Sequence, residues 1–376
     1  MNDFLKQHGL RDEKVNDCHY HIGMQQPIDV TIEYYKKNRE YLNLGKMIIN
    51  PMTQRSADID ESSNIKALYC KEFDENTYAF SSLHHHFDER DTADFFLKQI
   101  KFYYDAGYDG MKMLEGKSDC RKFFTHKLDD VVFEPYFDFA EKHDYPILLH
   151  AGDIARTPEE KELLNSIQDE VENVLKRHPK LKITFAHLFF MTDNREKLTR
   201  IMDTYKNVSV DLSMGGPIIP SFSDDIENWR EFIIRFNERI LFASDNWNRF
   251  FDGDDDFEVS VRHLPLRLFF EKKEQFTCPI LKGIMRNPAL LPKRIVDNIY
   301  RDNFVRIFGE MPRPVNHKLA YEYAKKLLKK YEDGTLKTEV RDEIPSWYFE
   351  DEAANLRRGN ELAIENLKII KEYYHE

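Results

Sequence analysis

Short apolar runs rich in β-branched and aromatic residues alternate along this chain with longer stretches whose apolar positions recur at helical spacing. Eight of the short runs read as strands: Val15 to Ile22, Lys46 to Met52, Thr77 to Leu83, Gly110 to Leu114, Pro146 to Ala151, Leu181 to Leu188, Val208 to Ser213 and Ile240 to Asn246. Between most of them lie helix-length segments, among them Thr92 to Tyr104, Glu134 to His143, Pro158 to Arg177, Asn194 to Tyr205 and Asp225 to Asn237. The third of these opens on Thr157 as N-cap, Pro158 at the first helical position and Glu160 three residues after the cap. That is a capping box, in which side chains take up N–H groups the helix leaves unpaired. Strands alternating with helices, without a dinucleotide-type glycine fingerprint, predict an α/β chain folded as a (β/α)8 TIM barrel rather than an open doubly wound sheet.

Composition narrows the function. With 376 residues the chain can bury a large core, and its net charge of −12 opposes general binding to nucleic acid or to an anionic membrane. The four cysteines, Cys18, Cys70, Cys120 and Cys278, have no close or Cys-x-x-Cys spacing, so neither a disulfide framework nor a thiolate zinc site is expected. A charged N-terminus with no apolar h-region and no bilayer-length apolar run predicts a soluble, cytoplasmic protein.

A barrel of this kind builds its site at the C-terminal ends of its strands, so chemistry belongs at the last inward positions of several runs. Strand alternation puts Val15, Asp17, His19 and His21 on one face, and two imidazoles there form half of a metal shell. His150 ends the fifth run, His187 the sixth and Asp245 the eighth. Ile183, Phe185 and His187 are expected to share one face, as are Leu241, Ala243 and Asp245. Without that context each histidine could be a satisfied core group and Asp245 a turn residue. Asp17 sits deeper and reads as a hydrogen-bonding support.

Seven motifs in order then carry a resemblance: DCHYHIG, SSLHH, GYDGMKML, ILLHAG, ITFAHL, NVSVDLS and ILFASDNW, followed by IVDNIYRDNFVRIFG with Asn303 and Phe308. From about Asn16 to Gly309 the chain resembles the amidohydrolase superfamily, in its aminocarboxymuconate-semialdehyde decarboxylase-like branch. The resemblance implies that His19, His21, His150 and Asp245 bind one divalent metal ion, with zinc the first candidate. It also implies that Asp245 shuttles a proton and that His187 polarises substrate or acts as acid or base. Lys112 matches a lysine that in some members is carboxylated and bridges two metals, and in one-metal members contacts a substrate anion. The one-metal form is the expectation here.

Other residues are open to two readings. In His84-His85-His86 either His84 or His86 is expected to line the pocket while His85 points elsewhere. Arg156, Arg249 and Arg262 are candidates for a substrate carboxylate, for which a guanidinium fork is suited, or for surface ion pairs. The acidic loop Asp252-Gly253-Asp254-Asp255-Asp256 lacks EF-hand spacing and reads as a solvated loop. The barrel is expected to span 1–311. Residues 312–376 form a helical extension with helices His317 to Glu332 and Glu350 to Tyr374, packed on the barrel or at a homodimer contact. The leading functional expectation is hydrolysis of a small polar amide, ester or lactone by activated water. Its rivals are decarboxylation of an aromatic or muconate-like acid on the same metal, and a metal-free binding module.

Overall fold

In the computed structural model the predicted strands roll into one parallel sheet of eight: β1 (Val15–His21), β2 (Leu44–Asn50), β3 (Thr77–Ser81), β4 (Gly110–Lys117), β5 (Ile147–Gly152), β6 (Ile183–Phe185), β7 (Val208–Asp211) and β8 (Ile240–Leu241). The structure describes residues 3–22, 26–51, 58–59, 61–118, 120–246, 262–337, 339–340 and 350–375. Each strand pairs with the next in sequence, and the last segment returns to the first. Cys18 N donates to Phe242 O at 3.3 Å, Asp245 N to His19 O at 2.7 Å and His21 N to Asn246 O at 2.7 Å. These bonds close the barrel and leave few sheet edges to water.

The helices that pack outside include α1 (Asp3–His8), α2 (Ile28–Tyr41), α3 (Ser63–Lys71), α4 (Ala93–Ala106), α5 (Glu134–Lys142), α6 (Pro158–Arg177), α7 (Arg195–Thr204), α8 (Gly215–Asp224), α9 (Ile226–Arg235), α10 (Leu264–Glu271), α11 (Lys293–Asp297) and α12 (Asn303–Phe308). The capping box of α6 forms as expected, with Glu160 N on Thr157 Oγ1 at 3.2 Å and Thr157 N on Glu160 Oε2 at 3.0 Å. Inside the barrel Cys18, Ile48, Phe80, Leu148, Ala186 and Ala243 make a dry plug, closed by Phe304 and Ile307 of α12. Asn303 fixes that helix by donating to Asn237 O at 2.6 Å and Ile240 O at 2.7 Å. With the lower barrel filled by apolar atoms, polar groups gather at its upper mouth.

Two expectations about faces are corrected. Val15 packs in the outer core with Tyr35, Met47 and Ile49, while Cys18 lies in the plug, so β1 does not keep one face from Val15 to His21. The cause is a shift in the β1–β2 pairing register on either side of Asp17, which breaks the period of two. The sixth strand stops at Phe185, and Ile183 and Phe185 face the outer core. The chain then makes a left-handed turn through His187, Leu188, Phe189 and Phe190, with φ of 57°, 54°, 58° and 51°, and that turn brings His187 to the mouth.

Beyond the barrel, α13 (His317–Glu332) and α14 (Glu350–His375) pack on each other and on α3. Tyr69 stacks edge-on against Tyr373 at 5.0 Å, and Tyr323 meets Phe102 of α4 at 5.1 Å. Buried Asn366 ties α14 to the start of α2, accepting from Ile28 N at 2.9 Å and donating to Gln26 O at 2.8 Å.

Candidate metal centre

Five strands and the segments that follow them deliver a single buried polar cluster. His19 and His21 come from β1, Lys112 from β4, His150 from β5, Asp211 from the end of β7, and Asp245 from the segment after β8. His187 reaches it from the left-handed turn after β6. His19 Nε2 lies 3.0 Å from His21 Nε2 and 3.3 Å from Asp245 Oδ1, and His21 Nε2 lies 3.2 Å from the same oxygen. One atom from each of His19, His187 and Asp245 falls within 4.8 Å of the others. His150 joins through His187, its Nδ1 3.2 Å from His187 Nε2.

Hydrogen-bond partners decide what these atoms offer. His19 Nδ1 meets the carboxylate of Asp211 at 2.9 Å and His21 Nδ1 meets the carbonyl of Asn50 at 3.2 Å. Both partners only accept, so both rings carry their hydrogen on Nδ1 and present a bare Nε2. Two imidazole lone pairs and a carboxylate oxygen thus converge with no hydrogen among them. A cation resolves that repulsion. Lys112 Nζ, 2.8 Å from His19 Nε2, is one available donor, and a divalent metal is the ion for which such an N,N,O set is suited. His150 Nε2 is buried beside them and has no hydrogen-bond partner. The residues present therefore fit a metal ion.

The local field keeps the donors in the right state. Burial, aided by the Lys112 charge, lowers His19 to about 4. Burial takes His187 down to about 3, and it lowers His21 and His150 as well. All four imidazoles are neutral at pH 7, as metal ligation requires. Burial alone would raise Asp245, but Arg262 and His19 hold it well below the usual carboxylate range. Burial likewise lowers Lys112 to about 8 against the opposing charges of Asp211 and Asp245, and pushes Asp17 up to about 7. Asp17 accepts from Ser244 N at 3.1 Å and His19 N at 3.0 Å, so it braces the barrel seam beneath the site.

Of the other expected residues, Arg262 reaches the cluster, its Nη1 on Asp245 O at 2.7 Å and on the Asp245 carboxylate. Arg156 does not; it is exposed ahead of α6, its backbone N on Glu160 Oε2 at 2.6 Å. His84 sits on the loop after β3, its Nδ1 against Glu61 and its ring 4.9 Å from that of His86. His85 turns inward between two acids, with Nε2 2.8 Å from Glu115 Oε1 and Nδ1 3.4 Å from Asp91 Oδ2. Arg249 and the 252–256 acidic loop lie outside the described residues.

Sequence reasoning missed Asp211 and Ser213. Asp211 Oδ1 accepts from His187 N at 2.8 Å and from Ser213 N at 2.9 Å, while its Oδ2 holds His19. The available signal was an acid two residues before a serine at the end of the apolar run Val208-Ser209-Val210, inside a motif already singled out. A cavity of about 320 Å³ opens beside the cluster, with His187 and Phe190 on its wall beside Leu164, Asn165, Met214 and Ile218. That volume suits a small molecule.

Residues 85–309, more than half of the chain, match the family model described as Amidohydrolase. The chain belongs to the amidohydrolase family. Members of this metal-dependent family are enzymes, and membership leaves the reaction of this chain open. Among solved structures it resembles an uncharacterised TIM-barrel protein from Bordetella bronchiseptica, with a TM-score of 0.51 and 11% identity over 78% of this chain and 98% of that one. It also resembles 2,6-dihydroxybenzoate decarboxylase complexed with 2,6-dihydroxybenzoate, with a TM-score of 0.50 and 13% identity over 79% of this chain and 100% of that one. At such identities the likeness shows the barrel fold alone. No curated protein sequence matches this chain. Among its described residues no helix is long and apolar enough to cross a membrane.

Proposed function

We propose that this chain is a metal-dependent hydrolase that directs water at a small polar amide, ester or lactone. The observation that carries the proposal is the convergence of His19 Nε2, His21 Nε2 and Asp245 Oδ1 within 3.0 to 3.3 Å, beside a buried His150 Nε2 that has no partner. His19, His21, His150 and Asp245 would hold one divalent ion, with zinc the first candidate. When bound, such an ion supplies a Lewis acid and lowers the pKa of water toward neutrality.

The protein's own groups do the rest. The Asp245 carboxylate takes the proton of the attacking water and passes it to the leaving group, while Arg262 bonds its Oδ2 and steadies it. His187, on the cavity wall, contacts substrate and orients His150. Phe190 packs at a tilt against both rings, at 5.3 Å from His150 and 5.0 Å from His187, and limits bulk water there.

Lys112 favours one second reading. Its buried ammonium at the site floor is a partner for a substrate carboxylate, the group that a carboxy-lyase would remove. Turnover in ¹⁸O-labelled water separates the two. Hydrolysis places the label in the product, whereas release of carbon dioxide with an unlabelled product overturns the hydrolase reading.

A further inference from the structure

We infer that Asp211 and Ser213 form a proton-ordering relay that fixes the tautomers of His187 and His150, and so decides which nitrogen each ring turns to a metal. The inference rests on the metal reading above and concerns residues that it did not use. Ser213 Oγ touches Asp211 Oδ1 at 2.5 Å and His187 Nδ1 at 2.7 Å, and has one hydrogen to give. A carboxylate and a hydroxyl oxygen cannot sit 2.5 Å apart with no proton between them, and an ionised carboxylate has none to offer. The serine hydrogen therefore points to Asp211.

Each remaining hydrogen is then forced in turn. With its hydrogen spent, Ser213 Oγ can only accept, from His187 Nδ1 at 2.7 Å and more distantly from His19 Nδ1 at 3.2 Å, which places the His187 hydrogen on Nδ1 and leaves its Nε2 bare. His187 Nε2 lies 3.2 Å from His150 Nδ1, so His150 must donate from Nδ1, and its own Nε2 is bare in turn. That nitrogen is the buried one without a partner. Asp211 meanwhile takes His19 Nδ1 with its other oxygen and His187 N with the first. One buried carboxylate thus orders three rings. In the resting site His187 Nε2 is an acceptor rather than the donor expected of a residue that polarises a carbonyl. Asp211 and Ser213, both fully buried, act through the histidines and are positioning residues.

The test begins with metal-free wild-type protein labelled with ¹⁵N-histidine, read by long-range ¹H–¹⁵N correlation at neutral pH. Signals are assigned from His187→Gln and His150→Gln. Both rings are expected in the Nδ1–H form. In Ser213→Ala, His187 should shift toward the Nε2–H form, and Zn²⁺ affinity, measured by competition with a chelator dye, should fall about 10- to 100-fold. Ser213→Thr, which keeps the hydroxyl, should restore both. A wild-type His187 that carries its hydrogen on Nε2 overturns the relay, and so does a Ser213→Ala protein that keeps either property at the wild-type value. If Ser213→Ala does not fold, the wild-type spectrum alone decides. A wild-type protein that binds no metal defeats the proposed function, while the metal-free tautomers still judge the relay.

Discussion

On the proposed reading Asp245 is the residue on which the chemistry turns, because among the described residues it is the carboxylate that touches both β1 histidines. Asp245→Asn keeps the shape and removes the base, so kcat/KM on any substrate found by screening should drop by about 10²- to 10⁴-fold. Retention of more than a tenth of the activity would assign the proton transfer elsewhere. A second residue reports on stability. His263 is fully buried against Phe4 and Phe242 with neither ring nitrogen bonded, and burial together with the Arg267 charge holds its pKa well below the ordinary value. Below about pH 6.5 the unfolded chain takes a proton there that the folded chain refuses, so stability falls as pH drops. His263→Leu should flatten that acid limb by up to about 1.4 kcal/mol per pH unit. Denaturant titrations between pH 5 and 7 check this, and an unchanged slope would contradict it.

At the scale of elements, the sequence was most legible where one period governed a whole segment. The limits of α6 and α13 come out as their capping and apolar stripes predict, and all eight barrel strands lie where the runs place them. What escaped was backbone that departs from a period. The left-handed turn at His187–Phe190 costs roughly 1–2 kcal/mol per residue for L side chains and has no glycine to announce it. It is held by tertiary contacts: the Phe185–Phe189 stack at 4.0 Å and Gln168 Nε2 donating to Phe189 O at 3.2 Å. The loop after β3 behaves similarly, since the pattern gave His85 no partner and the fold gives it two. Burial acts to lower His85, but hydrogen bonds and charge from Asp91 and Glu115 prevail and raise it to about 9. The resulting stabilisation is complete below the unfolded value of about 6.5 and is lost as pH rises through about 9. Wild type should therefore lose stability relative to His85→Gln between those values. Parallel curves for the two proteins would show that the cage adds nothing.

For the whole molecule, the barrel separates two tasks. Apolar residues from several strands and from α12 fill its lower half, while the ends of the same strands place imidazoles and carboxylates at the top. Folding thus assembles a site whose parts lie from His19 to Asp245 along the chain. Because an ion that binds only the folded form adds stability by mass action, chelation should lower Tm and restoring Zn²⁺ should recover it. At a free ion concentration of 100 times Kd the gain is about 2.7 kcal/mol. The central claim is that these strand ends hold one catalytic ion, and metal analysis of the purified, metal-replete protein beside His19→Ala tests it most directly. The account predicts close to one divalent ion per wild-type chain and little in the variant. No bound ion at saturation, about two ions per chain, or equal content in the folded variant would contradict it.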